Sequence, residues 1–252
     1  MREPRLRVFP DLETLSLAAA DALAEQIHAA VRERARCAVV LTGGRTPRRL
    51  YEILAGRFGA TIPWKQVDLF WGDERYVPYD DPRSNYRLAR LALLDHVAVP
   101  PENVHPMPTY HADPQEAAAE YEQVLRDYLA DGTAQLDVVL LGLASNGHVA
   151  SLFPHHRALR EERRWVTAVE VEADPPQRLT LTFPIINQTV AVFFLVAGAT
   201  KAQAVAQAHQ PGNRIEDVPA TDVAPASGDV TWWLDGAAAA LLPHLETERS
   251  PE

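Results

Sequence analysis

Apolar positions follow two alternating rhythms along the chain. Short, nearly unbroken runs of β-branched and large aliphatic residues read as buried strands, and longer stretches with apolar residues every three or four positions read as amphipathic helices. Leu17, Ala20, Leu23, Ala24, Ile27 and Val31 share one face of a helix in "SLAAADALAEQIHAAVRERA". "CAVVLTGG" follows as a short strand stopped by two glycines. "TPRRLYEILAGRF" opens a helix, with Thr46 as its expected N-cap and Pro47 in the first turn. "VDLFWGDERYV" reads as a strand ending in a charged loop. "SNYRLARLALLDHV" is a helix capped by Ser84 or Asn85, and "PQEAAAEYEQVLRDYLA" is a further amphipathic helix.

The same alternation continues to the end. "LDVVLLGLA" is a third buried strand, and "WVTAVEV" and "RLTLTFP" are alternating, partly buried ones. "PIINQTV" reads as a short helix before the strand "AVFFLVAG", and "TKAQAVAQAH" as a helix. "DVTWWLD" and "GAAAALLPHL" complete the pattern as a last strand and helix. Continuous Val/Leu/Ile/Phe strands between helices predict an α/β fold, a mainly parallel sheet covered on both faces. No internal repeat or long linker breaks the pattern. One domain over residues 1–252 is expected, with a frayed tail at 246–252.

Composition narrows the function classes. The 252 residues carry a formal net charge of −10, which repels nucleic acid and anionic membrane surfaces. No apolar segment approaches the ~20 residues of a membrane span, and the N-terminus lacks a signal peptide's apolar core. A lone cysteine, Cys37, opens an apolar run and reads as a small core residue of a cytoplasmic protein. Lysine is scarce: Lys65 and Lys201 are the only two among 24 basic residues. The expected partner is a small molecule, with the chain a monomer or small homo-oligomer. No metal motif of the HExxH or CxxC type occurs, and no cofactor is expected.

In an open α/β sheet, ligands gather at the carboxyl ends of the strands. Residues Gly43, Gly44, Arg45 and Thr46 follow the first of these strands, and Asp73, Glu74 and Arg75 the second. Asn146, Gly147 and His148 follow the third, and Thr200 and Lys201 the strand "AVFFLVAG". In "LTGGRTP", glycines permit close backbone approach and a helix N-terminus offers unpaired N–H groups, which makes an anion seat. It is neither a P-loop nor a GxGxxG dinucleotide motif. Taken alone, "WGDERYV" reads as a solvated loop with internal ion pairs, His148 as a structural histidine and Arg178 as a surface residue. Lys201 opens a helix, where the dipole disfavours a cation unless it faces an anion.

The combination is more specific than its parts. "LTGGRTP", "FWGDERYVPYDDPRSNYRLAR", "LLGLASNGHVASLFP", "RLTLTFPIIN", "AGATKAQAV" and "GDVTWWLD" occur in one order between about Leu41 and Leu234. Together they resemble the 6-phosphogluconolactonases. The resemblance implies a Rossmann-like fold shared with glucosamine-6-phosphate deaminases and ribose-5-phosphate isomerases. It also implies hydrolysis of 6-phospho-D-glucono-1,5-lactone in the oxidative pentose phosphate pathway, without metal or organic cofactor.

On that resemblance His148 is the general base, Arg75 binds substrate oxygens and the developing oxyanion, and Asp73 orients or handles protons. Gly43, Gly44, Arg45, Thr46, Arg178 and Lys201 form the phosphate pocket. Four positions depart from the family pattern. Arg45 stands where serine is common, Ala144 and His155 where glycine is, and Asn146 where an aspartate precedes the Gly-His pair. An amide at 146 still hydrogen-bonds but cannot stabilise imidazolium by charge. The competing expectations are a glucosamine-6-phosphate isomerase or deaminase and a noncatalytic sugar-phosphate sensor. "GHVASLFP" lacks the deaminases' carboxylate, and no output module for a sensor is visible.

Overall fold

The structure is a computed structural model that describes residues 3–130, 132 and 135–243. Six parallel strands form the main sheet. In chain order they are β1 (Arg5–Phe9), β2 (Cys37–Leu41), β3 (Val67–Trp71), β5 (Val138–Leu141), β8 (Ala191–Val196) and β9 (Asp229–Asp235). Their spatial order is β1-β9-β8-β5-β2-β3. The registers Leu41↔Trp71, Val39↔Val138 and Leu141↔Phe194 align the carboxyl ends of the central strands. Every residue of β2, β5 and β8 is buried, as a sheet covered on both faces requires. A second sheet is antiparallel and orders β4 (Asp73–Arg75), β7 (Gln177–Leu181) and β6 (Val166–Glu170).

The main helices are α1 (Leu12–Arg34), α2 (Arg45–Phe58), α3 (Asn85–Ala92), α4 (Pro114–Leu129), α5 (Phe183–Ile186) and α6 (Ala202–Ala208). Helix α1 packs on α2 and against β1, β2 and β9, while α4 packs against β6 and β7. Val39 of the large sheet and Leu179 of the small one belong to the same buried cluster. Asp11 starts α1 with a reciprocal capping box to Thr14. Cys37 is buried, as expected, and burial pushes its thiol up.

Several expectations need correction. Thr46 does not cap α2. Gly44 does, at φ 114°, a conformation open to glycine, and the helix therefore starts two residues earlier, at Arg45. "DER" is strand β4 and not a solvated loop; Asp73 and Glu74 are buried. The N-terminal "RLRVF" forms edge strand β1, which the pattern reading passed over. Leu17 and Val31 are only half-buried, whereas Leu15, Ala19 and Ala30 complete the buried face of α1. Residues 236–241 form turns, and 242–243 are irregular, in place of the expected last helix. The rest of that segment and the tail at 246–252 lie outside the described residues.

Candidate active site

The aligned carboxyl ends of β2, β3, β5 and β8 open into a cavity of ≈ 360 Å³. Gly43, Gly44, Arg45 and Thr46 line it from the turn into α2, Asp73 and Arg75 from β4, His148 from the loop after β5, Arg178 from β7 and Lys201 from the turn into α6. The structure thus brings together every residue to which the resemblance assigned a role, while Asn146, Glu74, Gly147 and Thr200 lie outside the lining. The Asn146 side chain contacts His148 directly.

The loop after β5 is shaped to present the imidazole. Gly147 adopts φ 81°, and a β-carbon there would stand 3.0 Å from Val218. Ala144 N–H donates to the His148 carbonyl and Gly147 N–H to that of Ala144. The His148 ring stacks on Phe153 with centroids 3.9 Å apart. Asn146 Oδ1 lies 2.8 Å from Nδ1 and 3.4 Å from the His148 backbone N–H. The backbone N–H can only donate, which identifies the shared atom as the amide oxygen. Nδ1 therefore carries the proton, and Nε2 is the free base, without a hydrogen bond to any described residue. Burial, then the charges of Arg178, Lys201 and Arg75, push this histidine down from its ordinary 6.5 to about 3. The resting imidazole is neutral.

Four cations surround it in two pairs. Arg75 and Arg178 face each other in the β4–β7 register, and Arg45 is the neighbouring charge that, after burial, lowers Lys201. Burial likewise pushes Arg178 down. Arg75 donates one Nη to the Arg83 carbonyl at 2.6 Å, while its buried Nε has no partner. Arg178 donates Nε to the Pro175 carbonyl at 3.2 Å. Among the described residues no carboxylate lies within ion-pairing distance of any of the four. Cations gathered in one cavity, with Arg178 buried, Arg75 and Lys201 half-buried and Arg45 exposed, form a site for an anion even beside the Asp73 carboxylate, whose charge acts on Arg178. The start of α2 adds to it: Gly44 makes no side-chain cap, so the N–H groups of Arg45 and Thr46 remain free.

A group of oxygens sits beside the cations. Ser151 Oγ donates to Asp73 Oδ2 at 2.8 Å, and Asn85 Nδ2 to Asp73 Oδ1 at 3.2 Å. Glu74 accepts from the backbone N–H groups of Arg75, Asn85 and Tyr86 and from Ser84 Oγ, and so holds the start of α3 against β4. Burial raises its carboxyl, and these donors oppose the shift. The sequence reading missed Asn85, which lines the cavity, and the buried role of Glu74. Asn85 was weighed only as a helix cap. The nearest signal was "SN" at a helix start following "DER", because a helix N-terminus attracts a carboxylate. Among the described residues no group of three or more His, Cys, Asp or Glu is placed to hold a metal ion.

Known proteins with this chain's pattern are consistent with the geometry. A family profile described as glucosamine-6-phosphate isomerases/6-phosphogluconolactonase matches residues 10–232. A 6-phosphogluconolactonase of Nostoc sp. is 40% identical over 240 residues, covering 94% of this chain and 98% of the relative. One of Mycobacterium tuberculosis is 43% identical over 245 residues, with the same shares covered. The solved structure of 6-phosphogluconolactonase from Trypanosoma cruzi superposes with a TM-score of 0.85 at 30% identity, over 95% of this chain and 97% of that one.

Proposed function

The chain belongs to the glucosamine-6-phosphate isomerase/6-phosphogluconolactonase family, and we propose that it hydrolyses 6-phospho-D-glucono-1,5-lactone to 6-phospho-D-gluconate with His148 as the general base. One observation carries the reading. A neutral imidazole, its Nδ1 held by Asn146 and its Nε2 free, sits in a cavity with four cations, none of them in a salt bridge among the described residues.

The substrate phosphate binds at the Gly43–Thr46 turn with Arg45, Arg178 and Lys201. The lactone carbonyl faces Arg75. Nε2 of His148 takes a proton from water, and the water oxygen attacks C1. Charge moves onto the carbonyl oxygen, where the Arg75 guanidinium offsets it. When the tetrahedral intermediate collapses, the C1–O5 bond breaks and the imidazolium returns its proton to the departing ring oxygen. Asn146 keeps the ring in the correct tautomer throughout. Asp73, braced by Ser151 and Asn85, orients the polar lining. The lactone also opens spontaneously, so positioning and one base are sufficient to accelerate it.

An isomerase or deaminase would need further acid–base groups on the loop after His148, and "VASLFP" has no carboxylate. The test is a dehydrogenase-coupled assay with freshly generated lactone, spontaneous hydrolysis subtracted. Turnover of the phosphorylated lactone, with glucono-1,5-lactone poorly used, is expected. Equal use of both would remove the phosphate seat from the account.

A further inference from the structure

The strand that feeds the glycine turn is closed off by a phenol. Strand β2 pairs with β3 as far as Leu41 and with β5 as far as Val40. Thr42 comes next, is buried, and lines the cavity one residue before Gly43. Its backbone N–H and C=O lie past the paired residues of both neighbours, and a buried backbone group left without a partner is costly. Tyr51 of α2 takes both. Its hydroxyl accepts from the Thr42 N–H at 2.9 Å and donates to the Thr42 carbonyl at 2.8 Å. The Tyr51 side chain is fully buried, and burial pushes the phenol up, so the hydroxyl keeps the proton it donates.

These two bonds close a short loop. Thr42 precedes the Gly43–Gly44 turn, and Tyr51 lies in the second turn of the helix that follows it. The end of β2 is thereby tied to α2, and the turn between them is held at both ends. The uncapped N–H groups of Arg45 and Thr46 keep one direction before any anion arrives. We propose that Tyr51 is a positioning residue for the substrate phosphate: by holding Thr42, its hydroxyl preorganises the glycine turn as an anion seat. The inference rests on the reading of this turn as the phosphate site. Donors already in place bind more tightly, because no ordering cost is met on binding. Tyr51 itself is not in the cavity lining, and the groups that act at C1, His148 and Arg75, stand on other elements. Its loss should therefore show in binding and not in the chemical step.

Tyr51→Phe removes the hydroxyl and keeps the ring. Its KM for 6-phosphogluconolactone should rise about tenfold, with kcat within about threefold of the wild type, the pattern of a lost interaction common to ground and transition states. Calorimetry should show the same loss of affinity for 6-phosphogluconate. A merely structural tyrosine would lower the unfolding midpoint and leave KM and affinity unchanged. That result would overturn the proposal, as would a fall in kcat at constant KM. Hydrogen exchange on the wild type decides the matter if Tyr51→Phe does not fold. The Thr42 amide should already be protected in the ligand-free protein. An amide that exchanges freely until 6-phosphogluconate is added would overturn the proposal. The phosphate reading fails differently. A wild type that used glucono-1,5-lactone as well as its 6-phosphate would remove the seat and the proposal together, whereas a phosphate preference with unchanged KM in Tyr51→Phe would remove the proposal alone.

Discussion

At the scale of the residue, one substitution shapes the chemistry. Asn146 orients His148 as an aspartate would, but it contributes no negative charge. Burial, then the charges of three cations, act on the ring unopposed, which is why its pKa falls to about 3. A base so depressed is fully deprotonated at neutral pH but weak, and the imidazolium formed during turnover gains little from its surroundings. Asn146→Asp should raise kcat, because a carboxylate beside Nδ1 favours the protonated ring. It should also give kcat/KM a new acid limb as the free-enzyme pKa climbs toward its ordinary value, readable as the ratio of the two pH profiles, since the substrate's phosphate ionisation is common to both. An unchanged profile would show that Nδ1 is not held by residue 146. The same shift bears on stability. The unfolded chain takes up a proton near 6.5 that the folded one resists until about 3, so this contribution is lost as pH falls through that window and lost less in Asn146→Asp. His148 was legible through the order of motifs that the chain shares with a known family; taken alone, a histidine after a buried strand reads as structural. Asn85 Oδ1, unpartnered among the described residues, was not, since its surroundings depend on Asp73 of β4 and on Gly43 in the turn after β2.

At the scale of the element, the long buried strands and amphipathic helices announced themselves by period, and the short elements did not. Strand β4 is three residues, all charged, and its place depends on pairing with β7, a hundred positions away. In isolation such a run is indistinguishable from a solvated loop. Strand β1 alternates exposed and half-buried residues at the edge of the sheet, where burial leaves little mark on the sequence. The expected C-terminal helix shows the reverse failure: alanine-rich propensity over residues 236–243 does not prevail over the turns that follow β9. His155 stands at φ 59°, a left-handed conformation that is strained for a residue with a β-carbon. Ala35 has the same problem at the C-cap of α1, at φ 60° and exposed to solvent. Ala35→Gly should therefore stabilise the protein by about 0.5–1 kcal/mol in denaturant unfolding, because glycine removes the left-handed penalty at a helix end. A loss of stability would mean that the Ala35 methyl makes a contact that outweighs the strain.

At the scale of the whole molecule, an acidic chain concentrates four cations at one end of its sheet. The parallel registers deliver them there, and the sequence showed this much through strand order and the scarcity of lysine. It could not show that Arg75 and Arg178 stand side by side, which the antiparallel pairing alone brings about. Lys201→Ala should weaken 6-phosphogluconate binding by about 1.5–3 kcal/mol, the range of a charge-assisted hydrogen bond, with the effect shrinking as salt is added. Calorimetry giving the variant the wild-type affinity would place the phosphate elsewhere. The central claim is that His148 activates water in a cavity whose cations, not the imidazole, hold the substrate. Turnover of fresh 6-phosphogluconolactone by His148→Gln, measured beside its affinity for 6-phosphogluconate, tests it most directly. The account predicts a fall in kcat of about 10²–10⁴-fold with affinity retained within about threefold. Wild-type turnover in His148→Gln would contradict it.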